Sequence, residues 1–197
     1  MLYSLNGNYP QPLPFRIRLS DGSTRTDPST FTSEEIIDAG YMQVADEPIP
    51  TDTQIVSWSS ETLSWIVRDK TPEELQAELN GAKNDRLSYV TNCRDKDFNT
   101  LTATWNNDTW DARETDSTRI ANVLTMIQQA SQQGIPTPST IDWRTYNDQS
   151  RTLTIPELTQ LGASMFQAQQ VIWYKQAMLK DQILAATTVA EVNAVVW

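Results

Sequence analysis

The stretch TATWNNDTWDA, residues 102–112, sets two tryptophans, Trp105 and Trp110, on either side of Asn106-Asn107-Asp108. Asn and Asp supply turn chemistry, because their short polar side chains tolerate the left-handed backbone that a tight turn needs. The flanking residues then read as two short strands, near 101–105 and 108–112, joined in a β-hairpin. A two-stranded hairpin is marginal by itself and must pack on something else. Cross-strand tryptophans would add about 0.5–1.5 kcal/mol beyond their buried area. A second reading uses the same residues as a glycan site. In it Asp108 and Asn107 bond sugar hydroxyls beside an exposed indole, with Trp105, Asp108 and Trp110 as the binding residues. The structural reading, with the tryptophans as pins, is the one preferred.

Downstream the pattern is helical. In DSTRIANVLTMIQQASQQG (116–134), Ile120, Leu124 and Ile127 share one face. Asp116 reads as the cap and Gly134 as the stop. IPTPST is a loop. IDWRTYNDQSRTLTI is short extended structure with a turn at Asn147-Asp148. The longest helix follows, near 155–186, with Thr154 as its cap. Leu158, Leu161, Met165, Ala168, Ile172, Leu179, Ile183 and Ala186 recur at spacings of three and four, with one missed step near Lys175. Phe166, Val171, Trp173 and Met178 widen that apolar face. TTVAEVNAVVW adds a short final helix.

Upstream, residues 1–50 read as short strands and turns. In PFRIRLS, Phe15, Ile17 and Leu19 alternate with Arg16 and Arg18, the period of a half-buried strand. TSEEIIDAGY is a short helix capped by Thr32 and stopped at Gly40. QIVSWSSETLSWIVR (54–68) is a hairpin in which Trp58 and Trp65 straddle the turn. KTPEELQAEL then starts a helix: Thr71 caps, Pro72 holds the first position and Glu74 completes a capping box. This helix runs to about Asp97. Its stripe of Leu75, Leu79, Ala82, Val90 and Cys93 is thin, and Gly81 weakens its middle. A thin stripe suits an exposed connector or a coiled-coil stalk. The expected class is therefore α+β: a β-rich module (1–70), a connecting helix (71–98), and a helical module with a hairpin (99–197).

Composition excludes several chemistries. Among 197 residues the formal net charge is −10, and no basic cluster exceeds Arg16-Ile17-Arg18. A nucleic-acid partner would need a basic face, so none is expected. There is no histidine, which removes the commonest general base and metal ligand. The single Cys93 reads as a small buried side chain. Glu34-Glu35 and Glu73-Glu74 sit in first helical turns, where the helix dipole explains them. No acidic stretch has calcium-loop spacing. No catalytic residue, metal ligand or cofactor is expected. No signal peptide or membrane span is expected either, since no long apolar run occurs.

The block from about Lys83 to Trp197 resembles a domain of unknown function found at the C-termini of bacteriophage tail-fibre and tail-associated proteins. The resemblance rests on Arg86, Arg94, Phe98, Trp105, the segments Asp116 to Ile120, Trp143 to Asp148 and Leu153 to Leu158, and the terminal ILAATTVAEVNAVVW. Asn147 precedes Asp148, the reverse of that pattern's order. Separately, VSWSSETLSWIVRDKTPEEL is similar to tail-fibre assembly proteins. The resemblance implies a non-enzymatic virion structural protein, made in the bacterial cytoplasm and carried in the tail, tail fibre or baseplate. Its partners would be other virion tail proteins and further copies of itself, with a trimer as first expectation. Leu75, Leu79, Ile172 and Leu179 are the expected oligomer or partner interface. An assembly chaperone and a module binding a host surface glycan are the alternatives.

Overall fold

The computed structural model describes residues 1–197. It is a mixed α+β chain of two compact units, Met1–Ala77 and Glu78–Trp197.

The first unit is built from three two-stranded antiparallel sheets. Strand β1 (Leu2–Leu5) pairs with β4 (Tyr41–Val44), Leu2 opposite Val44 and Leu5 opposite Tyr41. Between them lie the hairpin β2 (Arg16–Arg18) and β3 (Thr24–Thr26), and helix α1 (Ser33–Asp38). Thr32 and Glu35 form a reciprocal capping box at the start of α1. The hairpin β5 (Gln54–Ser59) and β6 (Ser64–Asp69) sets Trp58 directly opposite Trp65. Their rings meet edge to face at 5.3 Å. The Trp58 indole donates to the Gly7 carbonyl at 3.0 Å, and that of Trp65 to the Ala45 carbonyl at 2.9 Å. These two bonds tie the hairpin to the ends of β1 and β4. Gly7 itself has φ 81, which favours glycine.

Only Ser4, Pro10 and Ile17 are buried in this unit. Ile17 faces inward as the alternation predicts, but Phe15 is exposed, because β2 begins only at Arg16 and the alternation does not extend back to it.

Helix α2 (Pro72–Asn99) starts in the first unit, where Thr71 and Glu74 form the expected capping box and Arg68 clasps the Glu74 carboxylate. Most of its length belongs to the second unit. There the connector reading is corrected. Leu79, Ala82, Leu87 and Val90 pack with Leu179, Ile183, Ala186, Val192, Val195 and Trp197. The stripe is thin because its partners come from the far end of the chain. Two basic α2 side chains also serve helix ends that lack intrahelical partners. Lys83 donates to the Leu184 carbonyl and Arg86 to that of Asn193, each at 2.8 Å.

The second cluster of this unit joins the hairpin β7 (Thr102–Trp105) and β8 (Asp108–Asp111), helix α3 (Glu114–Gln132), the hairpin β9 (Thr140–Arg144) and β10 (Ser150–Thr154), and the long helix α4 (Ile155–Ala185). Ala103, Trp110, Ala112, Ile120, Leu153, Leu158, Leu161 and Met165 are its buried members. Helix α5 (Val189–Ala194) closes the chain, and α4 and α5 each begin with a Thr–Glu capping box. Asp116 is not the cap of α3. Arg113 holds the cap position, and Asp116 lies in the first turn, buried, with Arg113 donating to its carboxylate at 2.7 Å. The missed apolar step in α4 is Gln176. Gln169, rather than Ala168, is the fully buried residue one heptad before it.

Candidate functional site

The β7–β8 turn is as tight as its sequence requires. Asn106 and Asn107 adopt φ 52 and 64, the left-handed pair that a two-residue hairpin loop needs. Trp105 lies opposite Asp108 and Trp110 opposite Ala103, so the two tryptophans are diagonal neighbours at 6.3 Å. Trp110 is 1% exposed, and its indole N–H donates to the Trp105 carbonyl at 3.1 Å. The second reading, with an exposed indole at this position, is corrected: the Trp110 ring is enclosed by the core, and a sugar has no face of it to stack on. Asp108 is engaged too. Arg151 from β10 grips it with two bonds, at 2.8 and 3.0 Å. Those bonds hold the Asp108 carboxyl below the usual carboxylate range. The hairpin is therefore a clamped structural element, with Trp105 half-buried beside it.

The expected interface residues divide in the same way. Ile172 is 8% exposed, and Leu79 and Leu179 pack into the cluster around Val90. The chain supplies their partners itself, so these three do not form a face awaiting another molecule. Leu75 alone stays open, 38% exposed. The outward side of α4 instead displays Phe166, Val171, Trp173, Tyr174 and Met178. Trp173 contacts Phe166 at 6.1 Å and Phe98 at 5.6 Å.

A different concave site emerges beside the hairpins. An open cleft of about 370 Å³ lies between the start of α3 and the β9–β10 turn, lined by Asp111, Arg113, Asp116, Arg119, and residues 142–146 with Asp148. The backbone holds this rim firmly. The Tyr146 N–H donates to the Thr109 carbonyl at 2.9 Å, and the buried Thr145 hydroxyl accepts from the Gln149 N–H. Asp148 turns the chain at φ 60. Arg113 bridges Asp116 and Asp111, and Arg144 pairs with Asp148 at 2.8 Å. The Asp116 hydrogen bond, aided by both carboxylates, raises the Arg113 pKa further. Sequence reasoning did not pick this cleft out. The signal was present: Asp116 to Ile120 and Trp143 to Asp148 are two of the segments on which the resemblance rests, and folding brings them together.

The site thus belongs to an α+β helical unit with two clamped hairpins and no group of three or more His, Cys, Asp or Glu side chains placed to hold a metal. Residues 81–196 match a family model described as a domain of unknown function, DUF4376, and the chain belongs to that family. No curated protein matches the chain, and no solved structure does.

Proposed function

We propose that the protein is a non-enzymatic structural component of a tailed-bacteriophage virion, placed in the tail, tail fibre or baseplate after synthesis in the bacterial cytoplasm. The observation that carries this reading is the imbalance of the first unit. It buries only Ser4, Pro10 and Ile17, yet exposes Phe15, Ile37, Met42, Ile49, Ile66 and Val67. A unit of this size with so small a core gains stability when a partner covers its apolar surface. The outward aromatic face of α4 gives the second unit a contact surface of the same kind. Both features suit a protein that works by docking, and the tail-fibre resemblance supplies the setting. Other virion proteins and further copies of the chain are the proposed partners, with three-fold symmetry the first arrangement to test.

The deciding experiment is mass spectrometry of purified, cross-linked particles. Fixed stoichiometry in the particle, with cross-links from residues 1–77 to a tail protein, is the expected result. Presence in infected-cell complexes but absence from particles would favour the assembly chaperone instead. Light scattering addresses self-association separately: a folded species of 22.3 kDa at tens of micromolar would remove the homo-oligomer.

A further inference from the structure

We propose that the cleft between α3 and the β9–β10 turn binds a neutral saccharide. Most of its charged groups are committed to one another. Four aspartates and three arginines line it. Arg113 is held by Asp116 and Asp111, and Arg144 by Asp148. Two groups remain outside any ion pair. Arg119 has no hydrogen-bond partner in the protein, and Asp142 only accepts from the Thr152 hydroxyl, at 2.6 Å.

One free cation and one free anion on the same rim select against a charged ligand of either sign. An anion drawn to Arg119 shares the cleft with the unpaired Asp142, and a cation drawn to Asp142 shares it with Arg119. A divalent cation finds no convergent set of three carboxylates. A ligand whose groups both donate and accept fits both. A sugar hydroxyl gives its hydrogen to the carboxylate and offers its lone pairs to the guanidinium, and bonds to ionised partners are the stronger kind.

The apolar component is supplied by Trp143 and Tyr146. Trp143 lines the cleft while packing partly on the core. Tyr146 is 57% exposed and stands on a backbone fixed through Thr109. The electron-rich face of an aromatic ring attracts the weakly positive C–H groups of a pyranose. The cleft volume is within the range of small-molecule sites. The partners of the other charges pre-arrange the rim, so little ordering is left to be done on binding. This inference concerns the isolated chain and holds whether or not the protein is carried in a virion.

The test is the full-length protein on an array of neutral oligosaccharides (bacterial O-antigen and capsule fragments, maltose and chitobiose series), followed by calorimetric titration of the best binder. At least one neutral saccharide should bind. Tyr146→Ala and Asp142→Asn should each weaken it by about tenfold or more. Both positions are open enough for the fold to survive, and the amide oxygen introduced by Asp142→Asn would still accept from Thr152. Unchanged melting temperatures will verify this. Arg119→Gln provides a third probe that leaves every internal ion pair intact. Absence of any neutral binder overturns the proposal. So does binding that survives both Tyr146→Ala and Asp142→Asn, or binding confined to anionic sugars and abolished by salt.

Discussion

Two helical glycines, Gly81 and Gly162, should respond oppositely to the same substitution. In each case alanine removes backbone freedom from the unfolded chain and favours the helix by about 0.8–1.0 kcal/mol. At Gly81, in α2, an added Cβ meets nothing within 4 Å, so the whole gain is kept. At Gly162, in α4, the same atom sits 3.0 Å from the Ile120 Cγ2. Ile120 is fully buried in α3 and β-branched, so it has little rotamer freedom with which to withdraw. Overpacking of this kind costs about 1–3 kcal/mol. Gly81→Ala should therefore stabilise by up to about 1 kcal/mol, and Gly162→Ala should be neutral to destabilising by about 2 kcal/mol. Urea denaturation of the two variants measures the difference. A double-mutant cycle adds Ile120→Ala, which removes the opposing methyl. The two changes at 120 and 162 should then couple favourably, by about 0.5 kcal/mol or more. Equal stabilisation by both glycine substitutions, with no coupling to residue 120, would refute the claim that α3 and α4 meet closely at this point.

The tryptophans of the β7–β8 hairpin should separate as their burial does: Trp110→Ala should cost about 3–5 kcal/mol, and Trp105→Ala only about 1–3 kcal/mol, with the reverse order contradicting the register described. Glu74 yields a pH prediction. Its pKa is lowered to about 2, first by the Arg68 hydrogen bonds and then by the Thr71 N–H. A carboxylate with a depressed folded-state pKa stabilises above its ordinary value and loses that contribution as the pH falls through the folded one. Wild type should therefore exceed Glu74→Gln in stability near neutral pH, with the gap closing between the ordinary 4.5 and about 2. A gap that is constant across an acid titration would refute it.

Local chemistry was legible in the sequence, and distant pairing was not. The caps at Thr32, Thr71 and Thr154 follow from local residue types, and each forms, those at Thr32 and Thr154 as full capping boxes like the one expected at Thr71. The hairpins at Trp58–Trp65 and Asn106-Asn107 follow from turn residues between β-formers. The β1–β4 pairing has no local signature, because the strands are separated by another hairpin and a helix. The α2 stripe was misread for a related reason: a thin row of apolar residues looks exposed until the end of α4 and α5 are known to lie against it. The candidate site failed differently. Tryptophan beside Asn and Asp describes a structural turn and a sugar site equally well, and only burial separates them. Trp110 points into the core, whereas Trp143 and Tyr146, in a segment read as extended structure and a turn, line the open cleft.

The two glutamines buried on α4 occupy equivalent heptad steps but differ in how their hydrogen bonds are met. The Gln169 Nε2 donates to the Ala112 carbonyl and to the Ser117 hydroxyl, both at 2.9 Å. It joins α4 to the start of α3 and the end of the hairpin. Replacing it with leucine strips a buried carbonyl of that donor, a loss of about 1–3 kcal/mol. Gln176 accepts from Arg94 at 3.3 Å, while its Nε2 is buried with no partner. Leucine there removes an unsatisfied donor. Arg94 loses little, because it is partly exposed and also bonds Asp95. Gln176→Leu should thus be neutral or stabilising by about 1 kcal/mol, and Gln169→Leu destabilising. Urea melts of the two variants give the ranking directly. If Gln176→Leu proves the more damaging, the buried amide near Arg94 has a partner on which the native packing of α2 against α4 depends, and the account of this helix pair as apolar contact plus one tolerated polar defect is wrong.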